Sequence, residues 1–302
     1  MNRTPDTSPA SVPLRWRATL ATLDRLPQGA LSRAFGWLAD RRIAGPLRPL
    51  VLGGFASAVG IRMEEAELPL TAYASVNALF VRRLRPGVRT WPSDPRLLVS
   101  PVDGVLGAFG TVEDGTLLQA KGLPYRAADL LGSDEEARPF MGGRFITLYL
   151  SPRHYHRIHT PVPGAVRSAR HVPGALLPVN GPAVAGVERL FARNERLLAH
   201  LDTALGRVAV VAVGAYNVGR ISTAFDPAWS GTGKDWVTNR RDPPPPERHY
   251  DPGIPLGPGQ ELMAFHLGST IVLLTEPGIA LEADLAPGSE VTVGTVLAGP
   301  GS

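Results

Sequence analysis

The chain has 302 residues, of which 44% are hydrophobic, enough for one large domain or two small ones with a proper core. It contains no cysteine, which excludes disulfides, thiolate metal sites and a cysteine nucleophile. The formal net charge of +4, with 27 acidic residues, is too small to argue for a nucleic-acid partner.

The beginning of the chain is basic and carries apolar residues in a helical pattern. Residues 1–50 contain eight arginines against three aspartates. The pattern predicts one or two amphipathic helices. Their apolar residues are Trp16, Leu20, Leu23, Leu26, Leu31, Phe35, Trp37, Leu38 and Ile43. By itself the pattern favours surface helices packed on their own domain. The alternative is a helix in a membrane interface, with tryptophans at the headgroups and arginines facing anionic lipid.

No segment predicts a transmembrane helix or an export signal. The longest uncharged apolar run, residues 49–61, contains two adjacent glycines and is shorter than the ~20 residues that a spanning helix needs. The first nine residues lead into no apolar stretch of the kind found in signal peptides. Peripheral attachment to a membrane therefore stays open.

From residue 99 onward the pattern changes to short apolar runs interrupted by glycine and proline. Strands are predicted at residues 102–109, 145–150, 208–216, 271–275 and 291–297. One later helix is predicted over residues 187–205. Residues 226–258, which include four consecutive prolines, are predicted to form a long solvated loop.

The predicted strands do not alternate regularly with helices, which argues against a doubly wound sheet. The expected fold class is therefore α+β. A helical N-terminal region, residues 1–75, precedes a mainly antiparallel β core, residues 76–302.

Three of the seven histidines lie within six residues, directly after the strand predicted at residues 145–150. On a continuing strand, His154 and His156 would share one face and His159 would point away. A metal site would need a third ligand from elsewhere, and no partner motif is evident. We therefore predict no metal, although three histidines so close together suggest a site.

Two small polar residues stand in apolar surroundings. Asp103 lies in a Pro-Val-Asp-Gly turn, and Ser269 opens a very apolar strand after Gly268. Turn chemistry and strand initiation explain each residue alone. Together, an Asp, a His and a Ser could form a nucleophile, base and orienting group. A serine hydrolase without the usual Gly-x-Ser-x-Gly motif and a non-catalytic β-rich binding module both stay open as alternatives.

Several blocks, in order, resemble the phosphatidylserine decarboxylase family over roughly residues 65–300. One of them is Leu-Gly-Ser-Thr at residues 267–270, which is similar to the family's self-processing motif. This tetrapeptide alone is moderately specific, and the specificity of the resemblance comes from the ordered set. The others are residues 77–86, 100–104, 155–161, 171–174, 190–196 and 213–219. The resemblance assigns residues 76–302 to a catalytic domain. The helical region before them is similar to the family only in being basic and amphipathic, and we expect it to associate with a membrane.

The resemblance implies that the chain is a precursor that cuts itself between Gly268 and Ser269 into a large and a small chain. Ser269 would become a covalent pyruvoyl group, the cofactor of the enzyme. Through a Schiff base to this group, phosphatidylserine would lose CO2 and become phosphatidylethanolamine.

The resemblance also implies roles for individual residues. His159 would be the base for self-cleavage, Asp103 would hold its tautomer and stabilise the imidazolium, and His156 would return a proton during decarboxylation. His154 receives no role. Lys234, Arg240 and Arg241 in the predicted loop are interpreted as solvated charges.

The expected partners are phosphatidylserine, an anionic membrane surface and the two chains of the precursor. The expected location is peripheral, at the cytoplasmic face of the cell membrane. Homodimer formation is left open.

Overall fold

Helices occupy the start of the described chain, and strands form most of the rest. The computed structural model describes residues 27–119, 122–216, 220–229, 238–239, 246–266 and 269–301. The helices are α1 (Gln28–Ala39), α2 (Arg48–Val59), α3 (Val76–Phe80), α4 (Ala127–Leu131), α5 (Asp134–Ala137), α6 (Gly181–Gly186) and α7 (Leu190–Arg193). Short 3-10 turns lie at Gly45–Leu47, Met63–Glu65, Leu70–Ala72, Arg138–Phe140 and Pro227–Trp229.

Sixteen strands are described, and every strand pair in their sheets is antiparallel. They are β1 (Leu98–Val99), β2 (Gly104–Thr111), β3 (Thr116–Leu118), β4 (Pro124–Arg126), β5 (Arg144–Leu150), β6 (Arg157–His159), β7 (Gly164–Val172), β8 (Arg196–Thr203), β9 (Gly206–Val213), β10 (Ile221–Thr223), β11 (Glu247–Leu256), β12 (Glu261–Phe265), β13 (Ser269–Thr275), β14 (Ile279–Leu281), β15 (Glu290–Val291) and β16 (Val296–Pro300). The predicted α+β class with a mainly antiparallel β core is confirmed.

The main sheet has eight strands in the order β11-β7-β8-β9-β13-β5-β2-β15. Alternate residues of β13 pack into two apolar clusters: Ile271 and Leu273 into one, Val272 and Leu274 into the other. Helices α4 to α7 contribute to the second cluster, and strands of two three-stranded sheets, β1-β16-β14 and β10-β12-β6, contribute to the first. The middle of the main sheet is thus covered on both faces.

Three sequence predictions about local structure are corrected. The helix predicted at 187–205 is wrong, since only Leu190–Arg193 is helical and Arg196–Thr203 is strand β8. Its apolar residues do not alternate with polar ones because β8 is buried on both faces, and such a run is easily mistaken for a helix. The predicted strand 291–297 is interrupted at Gly294, where φ is +92°.

The predicted loop 226–258 is also wrong in part. Residues 247–256 form strand β11, which pairs with β7 at the edge of the main sheet. Its side chains are largely half-buried or exposed, and the strand carries no apolar periodicity. Lys234, Arg240 and Arg241 lie outside the described residues.

Helix α1 packs on the core through its polar and small residues. The side-chain oxygen of Gln28 accepts from the backbone N–H of Leu176 at 2.6 Å, and Arg220 pairs with Asp40 at 2.6 Å beside Gly36. Of the apolar residues in the predicted amphipathic pattern, those at 31–38 lie in helix α1, and Ile43 follows it. Those at 16–26 lie outside the described residues. No helix within the described ranges is both long and apolar enough to cross a bilayer.

Candidate active site

The chain segments that carry the candidate residues meet near the end of strand β5. Ser269, the first residue of β13, pairs with Leu150, the last residue of β5. On the other side of β5, Val105 of β2 pairs with Tyr149. The beginnings of β2 and β13 therefore flank the end of β5, two strand spacings of about 4.8 Å apart. Asp103, directly before β2, and Ser269 lie at the same edge of the main sheet.

The histidines reach this edge on the segment that follows β5. The backbone N–H of His159 donates to the carbonyl of Pro101 at 2.8 Å, close to Asp103 in the chain. The carbonyl of His156 accepts from the N–H of Phe265 at 2.9 Å, four residues before Ser269. Backbone hydrogen bonds thus tie the histidine segment to the chain before β2 and to the chain before β13.

His159 has a partner on each ring nitrogen. Nδ1 lies 2.7 Å from the carbonyl oxygen of Gly259, and Nε2 lies 3.0 Å from the hydroxyl of Tyr155. A carbonyl can only accept, so Nδ1 carries the proton and Nε2 accepts from Tyr155. Burial lowers the pKa of His159 below its ordinary value. The ring is therefore neutral, with its lone pair on Nε2.

His156 is fully buried and has a partner on only one ring nitrogen. Its Nδ1 donates to the carbonyl of His154 at 2.8 Å, while Nε2 has no hydrogen-bond partner among the described residues. The ring of Phe80 lies 4.0 Å away, centroid to centroid. Burial lowers the pKa of His156 well below 6.5. Its Nε2 is a desolvated proton acceptor.

Ser269 is also buried, with 1% of its surface exposed. Its Oγ finds no hydrogen-bond partner in the described part of the chain. Buried polar groups are nearly always paired, so an unpaired buried hydroxyl needs a functional explanation. The predicted cleavage site joins Ser269 to Gly268, which lies outside the described residues.

Asp103 is buried, and its described hydrogen bonds go to groups other than His159. Its Oδ1 accepts from Arg89 Nε at 2.9 Å and from the N–H of Val293 at 2.9 Å, and its Oδ2 accepts from Arg89 Nη2. The same guanidinium donates to Glu65 at 2.8 Å. The contact that orients His159 Nδ1 is made by Gly259, so a catalytic role for Asp103 stays a prediction.

A cavity of about 360 Å³ opens beside His159. Its wall contains three arginines, Arg83, Arg85 and Arg89, together with Trp91 and Tyr155. One acidic side chain, Glu261, also lines it. Among the described residues, no cluster of three His, Asp or Glu side chains is arranged to hold a metal ion.

Sequence reasoning missed four residues that shape the site: Arg89, Trp91, Tyr155 and Gly259. Tyr155 had a signal, because it stands between two candidate histidines. Arg89 lies three residues after a family block, without a pattern that marks it as the partner of Asp103. Gly259 acts through its backbone carbonyl, for which side-chain chemistry gives no signal.

The family model and the curated relatives that match this chain indicate the same family. The phosphatidylserine decarboxylase family model matches residues 76–299. Three relatives, each called phosphatidylserine decarboxylase proenzyme, come from Anaeromyxobacter sp. (strain K), Myxococcus xanthus and Halorhodospira halophila. They are 46%, 40% and 42% identical, over 94%, 83% and 96% of this chain and 98%, 87% and 96% of their own lengths.

These matches place the chain among the decarboxylases, a class of lyases. The chain belongs to the phosphatidylserine decarboxylase family.

The buried ion pair of Asp103 gives a first prediction. Replacing Arg89 with Met should lower the free energy of unfolding by about 3 to 5 kcal/mol, because it leaves a buried carboxylate without its cation. The matched control is Arg96→Met. Arg96 makes the same two-point contact with Asp94, but at the surface, so little change is expected.

Urea denaturation of both variants, made in a Ser269→Ala chain to avoid any cleavage, checks this prediction. Equal losses in the two variants would contradict it.

Proposed function

We propose that the chain is the precursor of a phosphatidylserine decarboxylase that cuts itself between Gly268 and Ser269. The observation that carries the proposal is the buried hydroxyl of Ser269 at the start of β13, which has no hydrogen-bond partner among the described residues, in a chain of this family. A serine this buried is poorly placed to attack an external ester, but it is adjacent to its own peptide bond. This argues against the alternative serine hydrolase.

In the proposed cleavage, Ser269 Oγ attacks the carbonyl carbon of Gly268 and forms an ester bond. The C–N bond of the peptide breaks, and the nitrogen of residue 269 becomes a free amine that takes up one proton. His159 accepts the hydroxyl proton at Nε2 and passes it to the freed nitrogen of residue 269, a role for which its neutral state is suited. For this step Nε2 must exchange its hydrogen bond from the Tyr155 hydroxyl for one from Ser269 Oγ. Loss of the α-proton of residue 269 then expels the Gly268 carboxylate and leaves dehydroalanine. Hydrolysis of dehydroalanine releases ammonia and leaves a pyruvoyl group.

Asp103 has an electrostatic role in this proposal. Its charge favours protonation of His159 and so stabilises the imidazolium that forms when Ser269 loses its proton. Arg89 pairs with Asp103 in the precursor and opposes that charge. Gly259, which holds Nδ1, takes the orienting role that the resemblance suggested for Asp103.

The residues present fit a pyruvoyl group at position 269. Two buried polar atoms, Ser269 Oγ and His156 Nε2, have no described partner and are available for chemistry. When present, the pyruvoyl carbonyl would bind the amine of the substrate and withdraw the electrons released with CO2. Phe80 and the fully buried strand β13 keep water away from this region.

His156 would supply the proton that replaces CO2 on the α-carbon. Its Nδ1 proton is committed to the carbonyl of His154, and Nε2 is unprotonated in the precursor, so Nε2 would first have to take up a proton. The ammonium group of the substrate, which must lose a proton to become a free amine, would be a source. Burial makes the protonated imidazolium a strong acid, which favours the transfer. The arginine-lined cavity beside His159 suits the phosphodiester of phosphatidylserine.

Helix α1 supports a membrane-binding face. Its buried positions are polar or small: Gln28, Ser32, Gly36 and Ala39. Large apolar side chains of α1 and of the chain through α2 are exposed instead: Leu31, Phe35, Trp37, Leu38, Leu47, Leu50 and Val51. A helix that packs only on its own domain has the reverse arrangement. The guanidinium of Arg41 stacks 3.6 Å from the Trp37 ring, as suits the boundary between apolar and anionic layers.

This face would attach the protein peripherally to an anionic membrane, at the cytoplasmic surface, where its lipid substrate lies. The proposed division at residue 75 separates the membrane-binding helices from the catalytic domain. One small apolar cluster, which includes Tyr73 and Leu79, connects the two parts.

Intact mass spectrometry of the purified protein tests the cleavage. We expect two chains, residues 1–268 and a 34-residue fragment (302 − 268) that begins with a pyruvoyl group. Ser269→Ala should give one uncut, inactive chain, because the nucleophile is gone. The control Ser289→Ala removes an exposed hydroxyl and should be cut normally. A cut and active Ser269→Ala protein would refute the mechanism.

Replacing His159 and replacing His156 should impair different reactions. His159→Ala should slow cleavage by roughly 10² to 10⁴-fold, the usual contribution of a general base. His156→Ala should be cut but should lose decarboxylation by a similar factor. Cleavage is followed on gels, and CO2 release is measured on the fraction already cut. The exposed His249→Ala serves as control. Full lipid turnover by His156→Ala would remove its proposed role.

The membrane face should be sensitive to loss of apolar side chains. Replacing Trp37, Leu38 and Leu50 with Ala should weaken binding to vesicles that contain phosphatidylserine by roughly 100-fold, at about 1 kcal/mol for each side chain. Leu118→Ala with Met141→Ala removes exposed apolar side chains elsewhere on the surface and should bind normally. Co-sedimentation measures the difference. Unchanged vesicle binding by the triple variant would contradict the proposal and would indicate that these helices have only a structural role.

A further inference from the structure

The ring of His159 is enclosed by residues that sequence reasoning did not select. Tyr155 stacks on it with 5.5 Å between centroids, and Trp91 lies 5.9 Å away on a tilted plane. The two hydrogen bonds, from Nδ1 to the Gly259 carbonyl and from the Tyr155 hydroxyl to Nε2, complete the enclosure. Two aromatic rings and two hydrogen-bond partners thus define the position of the His159 ring.

Gly259 is required at its position for two reasons. Its φ of +64° is a conformation that residues with side chains rarely adopt. A Cβ there would also lie 2.0 Å from the Trp91 ring, far inside contact distance. Any side chain at residue 259 would therefore displace either Trp91 or the carbonyl that holds His159.

We infer that Tyr155 and Gly259 are positioning residues for His159: the Gly259 carbonyl fixes the Nδ1–H tautomer, and the Tyr155 hydroxyl keeps Nε2 unprotonated. The inference rests on the proposed function, because it takes His159 to be the base for self-cleavage. The contacts themselves determine what happens to the proton. A donor on Nε2 stabilises the neutral ring and opposes its protonation. Burial raises the pKa of Tyr155, so its hydroxyl keeps the proton that it donates.

Other charges also face the ring, and they oppose one another. They are Arg157 on β6, Glu261 on β12, Asp103 before β2, and Arg83, Arg85 and Arg89 in the cavity wall. Arg157 and Glu261 pair with each other, as do Arg89 and Asp103. Because these pairs compensate internally, removing the Tyr155 hydroxyl changes the environment of Nε2 without removing a charge.

Nitrogen NMR of the imidazole rings in the uncut Ser269→Ala precursor tests the inference without any activity. The His159 signal, assigned with His159→Gln, should show the Nδ1–H tautomer. Tyr155→Phe should raise the pKa of His159 by about 0.5 to 1 pH unit, the equivalent of one hydrogen bond. Gly259→Ala should populate the Nε2–H tautomer. An Nε2–H tautomer in the precursor, or an unchanged pKa in Tyr155→Phe, would overturn the inference.

Two controls match these variants. Tyr125→Phe removes a buried hydroxyl that has no described partner, and Gly257→Ala adds a Cβ with only ordinary contacts two residues from Gly259. Neither should change the tautomer or the pKa of His159. Thermal melting shows whether each variant folds. If either Tyr155→Phe or Gly259→Ala fails to fold, the result from the other one tests the inference.

The pH profile of cleavage in otherwise unmodified protein gives the second readout. A base works only when neutral, so the acid limb of the cleavage rate in Tyr155→Phe should move to higher pH by the same 0.5 to 1 unit. A rate that changes equally at every pH would indicate a merely structural role and contradict the inference. If the unmodified protein is not cut at all, the proposed function fails, while the NMR result still decides the inference.

Discussion

The antiparallel pairing of β13 with β5 and β9 is the constraint on which the site depends. All seven residues of β13 are buried, and its side chains alternate between two apolar clusters. Its first residue, Ser269, is therefore held where the main sheet ends, under a fixed register with Leu150. The chain after this point also supplies β14, β15 and β16, which pair with one another or with β1 and β2. A cut before Ser269 would leave the small chain bound within the sheets.

The same burial determines the electrostatics of the site. Desolvation lowers the pKa of both His156 and His159, because a charged imidazolium loses its hydration there. Both rings are therefore neutral bases in the precursor. The acidic residue nearby, Asp103, stays in the interior because Arg89 compensates its charge. Neutral proton acceptors and internally paired charges thus share one edge of the sheet.

In the N-terminal helix α1, the distribution of polar and apolar side chains is the reverse of that in the core. In β13 the apolar side chains face inward, whereas in α1 polar and small residues face inward and Trp37 and Leu38 face outward. Burying Gln28 is tolerable because its side chain bonds the backbone of Leu176. Exposing the apolar side chains costs free energy in water, and contact with lipid would remove that cost. The exposed apolar surface of the N-terminal helices and the buried edge of the main sheet are thus built from opposite patterns.

Local pattern was enough to predict the fold class and four of the strands. The assignment of Asp103, His156, His159 and Ser269 to one site came from the family resemblance and stays a prediction. Short apolar β-branched runs and an ordered series of family blocks carry that information within the chain. Local pattern failed at Arg196–Thr203, since a strand covered on both faces has no alternation to distinguish it from a helix. Local pattern also failed at β11, which has no apolar periodicity and forms a strand by pairing with β7 at the edge of the main sheet. Only the tertiary structure decided that Arg89 neutralises Asp103 and that Gly259 and Tyr155 hold His159. The reason is physical: Arg89 and Asp103 lie 14 residues apart, and His159 and Gly259 lie 100 residues apart. The Gly259 contact is also made by a backbone carbonyl, which every residue possesses. Tyr155 is only four residues from His159, and only the folded chain places its hydroxyl on Nε2.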